Sequence, residues 1–226
     1  MDGKPCFRHE KKHYITPADH AALRQRLGQV MKMDPNAGPD GIYTVRSLYF
    51  DDWKDTALRE KLDGLPRREK FRIRYYNREL GYVRLEKKSK IRDLCLKESE
   101  KISLKQCRAL MESRIDDLAG QGGPLLAELC AKMRSRQLRA RTSVCYRRAA
   151  YWRPEGNVRV TIDYDIGGGS PWGFLNPDQP LLKNPGVTLL EVKYDDYLPE
   201  YVAGLVEMND RSCSAFSKYA CARNYL

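Results

Sequence analysis

Apolar and polar residues alternate with period two along much of this chain, and the alternation gives way at intervals to apolar residues spaced three and four apart. The alternating runs predict strands at 7–15, 42–50, 70–77, 82–90, 142–152, 157–166 and 187–194, with a weaker one at 94–101. Gly81 and the Pro154-Glu155-Gly156 triplet supply turns between neighbouring strands. Helices are expected where caps meet apolar stripes. Thr16 is an N-cap with Pro17 behind it, followed by Leu23, Leu27, Val30 and Met31. A short helix at 57–62 stops at Gly64. Ser103 and Gln106 form a capping box opening a helix to about residue 114, and Pro124 opens another to about residue 138. Two more, at 199–208 and 214–224, close the chain. The stretch 34–41, with two prolines and two glycines, reads as a loop, and so does Gly167-Gly168-Gly169, which fits neither a P-loop nor GxGxxG. With no internal repeat or linker, the simplest partition is one α+β domain over 1–226.

Composition changes the picture through charge. Of 226 residues, 42% are hydrophobic, enough for a substantial core, while 41 Lys and Arg against 30 Asp and Glu give a formal charge of +11. Such a balance favours a polyanionic partner: nucleic acid, nucleotide, polyphosphate or an anionic membrane. No apolar run reaches the roughly 20 residues of a membrane span, and the first ten residues carry no apolar signal segment. A soluble, cytoplasmic protein is expected. Seven cysteines without a CxxC pair argue against a zinc ribbon and against a complete disulfide framework.

The distribution of charge within the strands is more informative. Alternate side chains share a face, so Arg72 goes with Arg74, Glu10 with Lys12, Glu191 with Lys193 and Tyr146 with Arg148. Arg84, Glu86 and Lys88 form another set, and Arg159, Thr161 and Asp163 a further one. One such face is a solvated sheet surface, but six strands carrying mixed Arg, Lys, Glu and Asp suit an antiparallel β-barrel tunnel with a polar, basic lumen, packed outside by helices. An empty cationic lumen is costly, and a threaded polyanion with a divalent metal offsets that cost. The few carboxylates among the cations are the natural ligands for hard Mg²⁺ or Mn²⁺.

In order along the chain stand Glu10-Lys11-Lys12, Ser47-Leu48-Tyr49-Phe50-Asp51, Lys70-Phe71-Arg72-Ile73-Arg74-Tyr75-Tyr76, Leu85-Glu86-Lys87-Lys88-Ser89, Val158-Arg159-Val160-Thr161-Ile162-Asp163, Leu190-Glu191-Val192-Lys193-Tyr194 and Phe216-Ser217-Lys218-Tyr219. This ordered set resembles the VTC domain, the polyphosphate polymerase domain of vacuolar transporter chaperone proteins and of stand-alone bacterial relatives, in the triphosphate tunnel metalloenzyme superfamily. The resemblance implies an ATP-dependent polymerase that moves the γ-phosphoryl group onto a growing inorganic polyphosphate chain and releases ADP, with Mn²⁺ or Mg²⁺ as cofactor. It further implies that Arg72, Arg74, Lys88, Arg148 and Lys218 surround the transferred group, that Lys12, Lys61 and Lys97 bind substrate, and that Glu191 holds metal. Glu10 and Glu86 match positions where the superfamily keeps tunnel carboxylates, and the face pattern adds Arg84 and Arg159 to the substrate-binding set. Many tunnel enzymes begin with Glu-x-Glu-x-Lys. Here Arg8 replaces the first glutamate, which weakens a two-carboxylate hydrolase site and agrees with the polymerase branch.

One competing pattern fails on context. His9-Glu10-Lys11-Lys12-His13 matches HExxH, but in a strand its histidines lie roughly 13 Å apart, too far to share a zinc. A nucleic-acid-binding module is the alternative from another class, because the basic balance and the tyrosines also suit phosphate contacts and base stacking; against it, Phe71 and Tyr75 lie opposite Arg72 and Arg74. Within the fold, a tunnel triphosphatase and a non-catalytic polyphosphate-binding barrel stay open as alternatives.

Overall fold

The computed structural model describes residues 7–92, 94–179, 182–183, 186–208 and 215–223. In chain order these form β1 (His9–Ile15), α1 (Pro17–Val30), β2 (Lys32–Met33), β3 (Ile42–Asp51), α2 (Thr56–Leu62), β4 (Arg67–Tyr76), β5 (Val83–Ile91), β6 (Leu94–Ile102), α3 (Leu104–Met111), α4 (Pro124–Ser135), β7 (Arg139–Arg153), β8 (Val158–Gly169), β9 (Leu182–Lys183), β10 (Thr188–Tyr194), α5 (Glu200–Val206) and α6 (Lys218–Arg223). The caps act as expected. Thr16 Oγ1 accepts the Asp19 amide at 3.2 Å while Asp19 accepts the Thr16 amide at 2.8 Å, and Ser103 and Gln106 make the same reciprocal pair. α3 ends at Met111, short of the expected 114, because the chain turns left-handed at Ser113 (φ 60°). Of the expected final helix, residues 214 and 224 lie outside the described residues, as do Cys6 and Cys213. Cys95, Cys107 and Cys130 are free thiols.

Eight strands run in the order β1-β10-β8-β7-β3-β4-β5-β6, every pairing antiparallel, with β2 added to β7 and β9 to β8. The sheet rolls until its ends meet at one bridge, where the Arg8 and Cys95 amides each donate to the other's carbonyl at 3.1 and 3.2 Å. The expected tunnel barrel is thus present, and among the described residues its seam is joined by that single bridge rather than by a ladder.

Strand alternation decides what lies on each side. From β4 and β5, Phe71, Ile73, Tyr75 and Leu85 face outward onto α3 and α4, meeting Leu110, Leu126, Leu129 and Met133. From β8 and β10, Val160, Ile162, Leu190 and Val192 face outward onto Leu23 and Leu27 of α1 and Val202 of α5. Burying these side chains stabilises the roll by about 1.5–3 kcal/mol each. Outward-facing Arg46 donates to the carbonyls of Asn176 (2.8 Å) and Pro177 (2.7 Å), pinning the segment after β8 to the barrel wall. Among the described residues no helix is long and apolar enough to cross a membrane.

α6 is different, because Tyr219 and Ala222 pack with the inward-facing Tyr49, Val144, Tyr146, Ile166 and Leu189. This corrects the reading of Gly167-Gly168-Gly169 as a loop. The three glycines continue β8, paired with Cys145, Val144 and Ser143, and are buried. A Cβ on Gly168 would stand 2.7 Å from the Ala222 Cβ and 3.0 Å from its Cα, so the missing side chain is what admits the helix. Gly168→Ala is therefore expected to lower stability by about 1–3 kcal/mol through overpacking, read as a drop in Tm. Adding Ala222→Gly should restore part of the loss, and a Gly168→Ala protein with unchanged Tm would show that this contact does not fix α6.

Candidate functional site

The inward face of the roll encloses two cavities in series. The larger, about 320 Å³, is lined by eleven Lys and Arg side chains and only two carboxylates, Glu10 and Glu191. The smaller, about 110 Å³, is lined by Lys61, Arg68, Glu69 and Lys90 among others, and shares Glu10, Lys12, Lys70, Lys88, Cys95 and Ser217 with the first. A surface groove bordered by Lys61, Arg68, Lys90 and Arg92 continues from it. The lumen is thus a basic passage with a neck at Lys70 and Lys88.

Three clusters of opposite charge organise the walls. On β10, Glu191 faces Lys12 of β1 (3.7 Å), Lys193 (3.3 Å) and Arg148 (3.5 Å). Glu10 accepts the same Lys12 ammonium at 2.6 Å and pairs with Lys88. Burial and the neighbouring Glu191 push the Glu10 carboxyl up, but Lys88 and Lys12 outweigh them and hold it at about 2. Burial raises Glu191 as well, and Lys193, Lys12 and Lys218 bring it well below the usual carboxylate range. Both groups are therefore anionic at neutral pH.

A second cluster centres on Glu86 of β5, whose Oε2 accepts the Arg72 Nε at 2.7 Å and Nη2 at 2.6 Å; Arg74 lies 3.7 Å away and Lys97 3.3 Å. Arg74 donates to Ser47 Oγ (3.0 Å) and to the Tyr146 hydroxyl (3.2 Å), and Arg72 to the Tyr49 hydroxyl (3.2 Å). Burial raises the Glu86 carboxyl and the Arg72 and Arg74 guanidiniums lower it further, so it too stays ionised.

The third cluster is built on Asp163, which is completely buried. Arg148 grips it bidentately (2.6 and 2.8 Å) and Lys218 of α6 reaches it at 2.6 Å. Its position on one face with Arg159 and Thr161 marked it as inward-pointing, yet a lone strand aspartate gave no sign that it anchors two site cations.

Of the residues singled out in the sequence, Lys12, Arg72, Arg74, Lys88, Lys97, Arg148, Arg159, Lys218, Glu10 and Glu191 all line the larger cavity. Lys61 lines the smaller one. Arg84 lies away from both and donates to Ser99 Oγ at 2.7 Å, and Glu86 sits behind the arginines it holds. The cavity adds Lys70, Lys193, Tyr49 and Tyr146, each of which falls on an inward strand face by alternation, and Ser217 from the segment just before α6. Burial pushes the Lys70 ammonium down to about 7, with Lys88 and Lys12 adding repulsion, and it pushes Lys193 down to about 8.

For a divalent metal, the described residues contain no group of three His, Cys, Asp or Glu side chains close enough to share an ion. Glu10 and Glu191, sharing Lys12, are a hard oxygen pair suited to Mg²⁺ or Mn²⁺, which commonly take one or two protein carboxylates and complete their shell with phosphate and water. Beside Glu191 in the ladder, Thr161 keeps a buried hydroxyl with no hydrogen-bond partner, a place for an ordered ligand of that shell. The donor chemistry fits.

A rolled antiparallel sheet enclosing a basic passage defines the triphosphate tunnel class of fold. The chain belongs to the VTC domain family, which matches residues 7–226. Its fold is similar to HpAC1 from Hippeastrum, described as an adenylyl cyclase candidate with a dominant triphosphatase activity: TM-score 0.58, 16% identity, covering 97% of this chain and 96% of that one. It is similar as well to an adenylate cyclase candidate from Bacillus halodurans (TM-score 0.51, 12% identity, 89% and 86% covered). The PH1819 protein from Pyrococcus horikoshii gives a TM-score of 0.52 at 12% identity, with 97% and 99% covered. No curated protein matches the chain in sequence.

Two consequences of the ion clusters are measurable. Asp163→Asn takes the close carboxylate from Lys218 and leaves Arg148 only the longer contact to Glu191 (3.5 Å), and should cost about 3–5 kcal/mol in urea unfolding; a loss under 1 kcal/mol would mean that Asp163 anchors neither. Glu10 titrates lower in the fold than its ordinary 4.5, so its stabilising effect is complete above that pH and is lost as pH falls toward 2. Stability of Glu10→Gln should therefore fall less steeply between pH 4.5 and 2 than that of the wild type. Parallel slopes would contradict the pairing with Lys12 and Lys88.

Proposed function

We propose that this protein is an ATP-dependent polyphosphate polymerase that transfers the γ-phosphoryl group of ATP to the end of an inorganic polyphosphate chain inside the basic lumen. The observation that carries this reading is the continuity of the passage: two cavities share the walls at Glu10, Lys12, Lys70 and Lys88 and run into the Lys61, Arg68, Lys90 and Arg92 groove. A triphosphate needs one pocket. A chain with about one charge per phosphate needs a lined path, and this lumen provides one.

Phosphoryl transfer depends on alignment and charge neutralisation more than on a protein acid or base. Arg72 and Arg74, oriented by Glu86, Ser47 and Tyr146, present further N–H donors to non-bridging oxygens. Arg148 and Lys218, held by Asp163, do the same from the other wall. Lys12 and Lys88 act as point charges along the chain at the neck. Mn²⁺ or Mg²⁺ bound at Glu191 and Glu10 would neutralise triphosphate oxygens and stabilise the leaving ADP. Glu86 is engaged by Arg72 and Lys97, and we assign it to positioning these cations rather than to the metal. The acceptor oxygen belongs to a phosphate already ionised near neutral pH, so transfer asks for no general base.

The triphosphatase activity described for HpAC1, on a similar fold, supports a second reading in which ATP or tripolyphosphate is hydrolysed. Product analysis separates the two. Incubated with ATP and Mn²⁺, the protein should yield ADP and long-chain phosphate; free inorganic phosphate as the sole second product would favour hydrolysis. Glu191→Gln keeps the shape but removes a charge from the oxygen-ligand pair, so turnover should fall by orders of magnitude while metal-free polyphosphate binding persists. Wild-type turnover in Glu191→Gln would remove the metal assignment.

A further inference from the structure

Lys70 is the one lumen cation of the larger cavity that reaches no carboxylate among the described residues. Lys12 and Lys88 have Glu10, Arg72, Arg74 and Lys97 have Glu86, and the rest pair with Glu191, Asp163, Asp195 or Asp34. Lys70 stands directly opposite Lys88 in the β4–β5 ladder, and its ammonium lies 5.6 Å from the centre of the Tyr49 ring. Both cavities include it in their walls, so anything passing between them passes Lys70.

We propose that Lys70 is the phosphate ligand at the neck of the tunnel and that it takes up its proton together with the anion. The inference rests on the polyanion tunnel proposed above and adds to it a binding residue and a proton-coupled mode of binding.

The surroundings explain the coupling. From β3, Tyr49 is the one neighbour that favours the ammonium, with its ring against the amine and its hydroxyl taking a hydrogen bond from Arg72. From β5, β1 and α2 come the like charges of Lys88, Lys12 and Lys61, and Arg72 and Arg68 add more on β4 itself. Glu10 and Glu69, on the same walls, are paired with other lysines. A buried ammonium held among cations with no carboxylate beside it sheds its proton, and burial with Lys88, Lys12 and Arg72 outweighs Tyr49, which agrees with its depression to about 7. A phosphate chain at the neck reverses the local field and makes the protonated form the stable one. Binding then draws a proton from solution, and affinity declines as pH rises above about 7 because the proton must be taken from a scarcer supply.

Tyr49 changes in the same region. Burial raises its hydroxyl, but Arg72, Lys70 and Arg74 bring it to about 7, so it can exchange a proton as well. A substitution at Lys70 that keeps the charge separates the two contributions. Lys70→Arg stays protonated throughout, and Lys70→Met never is.

The test is calorimetry of long-chain inorganic polyphosphate with metal-free protein at pH 8, in two buffers of different ionisation enthalpy. The wild type should take up on the order of one proton more per binding event than Lys70→Arg. Lys70→Met should bind roughly tenfold more weakly, as expected for loss of a charged hydrogen bond. Equal proton uptake by wild type and Lys70→Arg overturns the coupling, and unchanged affinity in Lys70→Met overturns the ligand role. If Lys70→Met does not fold, comparison with Lys70→Arg still decides the coupling. Absence of any polyphosphate binding by the wild type overturns the tunnel as a polyanion site, and the role of Lys70 with it.

Discussion

The structure depends on holding an excess of positive charge inside a closed sheet. Eleven basic side chains share the wall of one small cavity, and like charges roughly 4–5 Å apart in a partly dry space repel by about 3–4 kcal/mol per pair. What makes the arrangement tolerable is a small set of buried carboxylates, each shared by two or more cations. Asp163 serves Arg148 and Lys218, Glu86 serves Arg72 and Lys97, and Glu10 with Glu191 serve Lys12, Lys88 and Lys193. Compensation is deliberately incomplete. The anions fix the orientation of the cations without cancelling their charge, which is what a site for a polyanion requires.

The outer layers follow from this inner one. A sheet whose inner face is ionic must bury its outer face elsewhere, and alternation places Phe71, Ile73, Leu85, Ile162 and Leu190 there for the helices to cover. Among the described residues the seam between β1 and β6 carries only the Arg8–Cys95 bridge, and the Lys88–Glu10 pair crosses the lumen from β5 to β1 close to it. Ion pairs thus help to hold together a barrel whose ladder is interrupted. α6 enters the inner side because Gly168 leaves room for Ala222, and it brings Lys218 to Asp163.

Much of this was legible in the sequence because period-two alternation is the pattern that β-structure imposes most strictly. Arg72 with Arg74 and Glu191 with Lys193 announced an ionic inner face before any coordinate did. Other features were hidden for physical reasons. Gly167-Gly168-Gly169 has the composition of a loop, and only the helix crossing it reveals that the absence of side chains is a packing requirement. Arg84 shares its strand face with Glu86 and Lys88, yet alternation does not say how far along the barrel a residue sits, and Arg84 lies beyond the cavity beside Ser99. Asp163 looked like one more strand carboxylate, since the convergence of Arg148 and Lys218 upon it is a property of three elements far apart in sequence.

The same accounting separates the carboxylates by role. A carboxylate fully engaged by guanidinium donors has little to offer a metal, because displacing those hydrogen bonds would leave buried cations unpaired. Glu86, with two short bonds from Arg72, is of that kind. Glu191 is not: its cations stand 3.3 to 3.7 Å away, at ion-pair rather than close hydrogen-bond distance. Glu191, with Glu10, would hold a divalent cation without leaving a guanidinium stripped of close hydrogen bonds, and Lys12, Lys193 and Arg148 would then be the donors placed to meet phosphate oxygens. The lumen would then exchange one set of ion pairs for another, each group remaining compensated in both states. In such an exchange the pairs that join β1, β7 and β10 around Glu191 would be the ones to open for a bound polyanion.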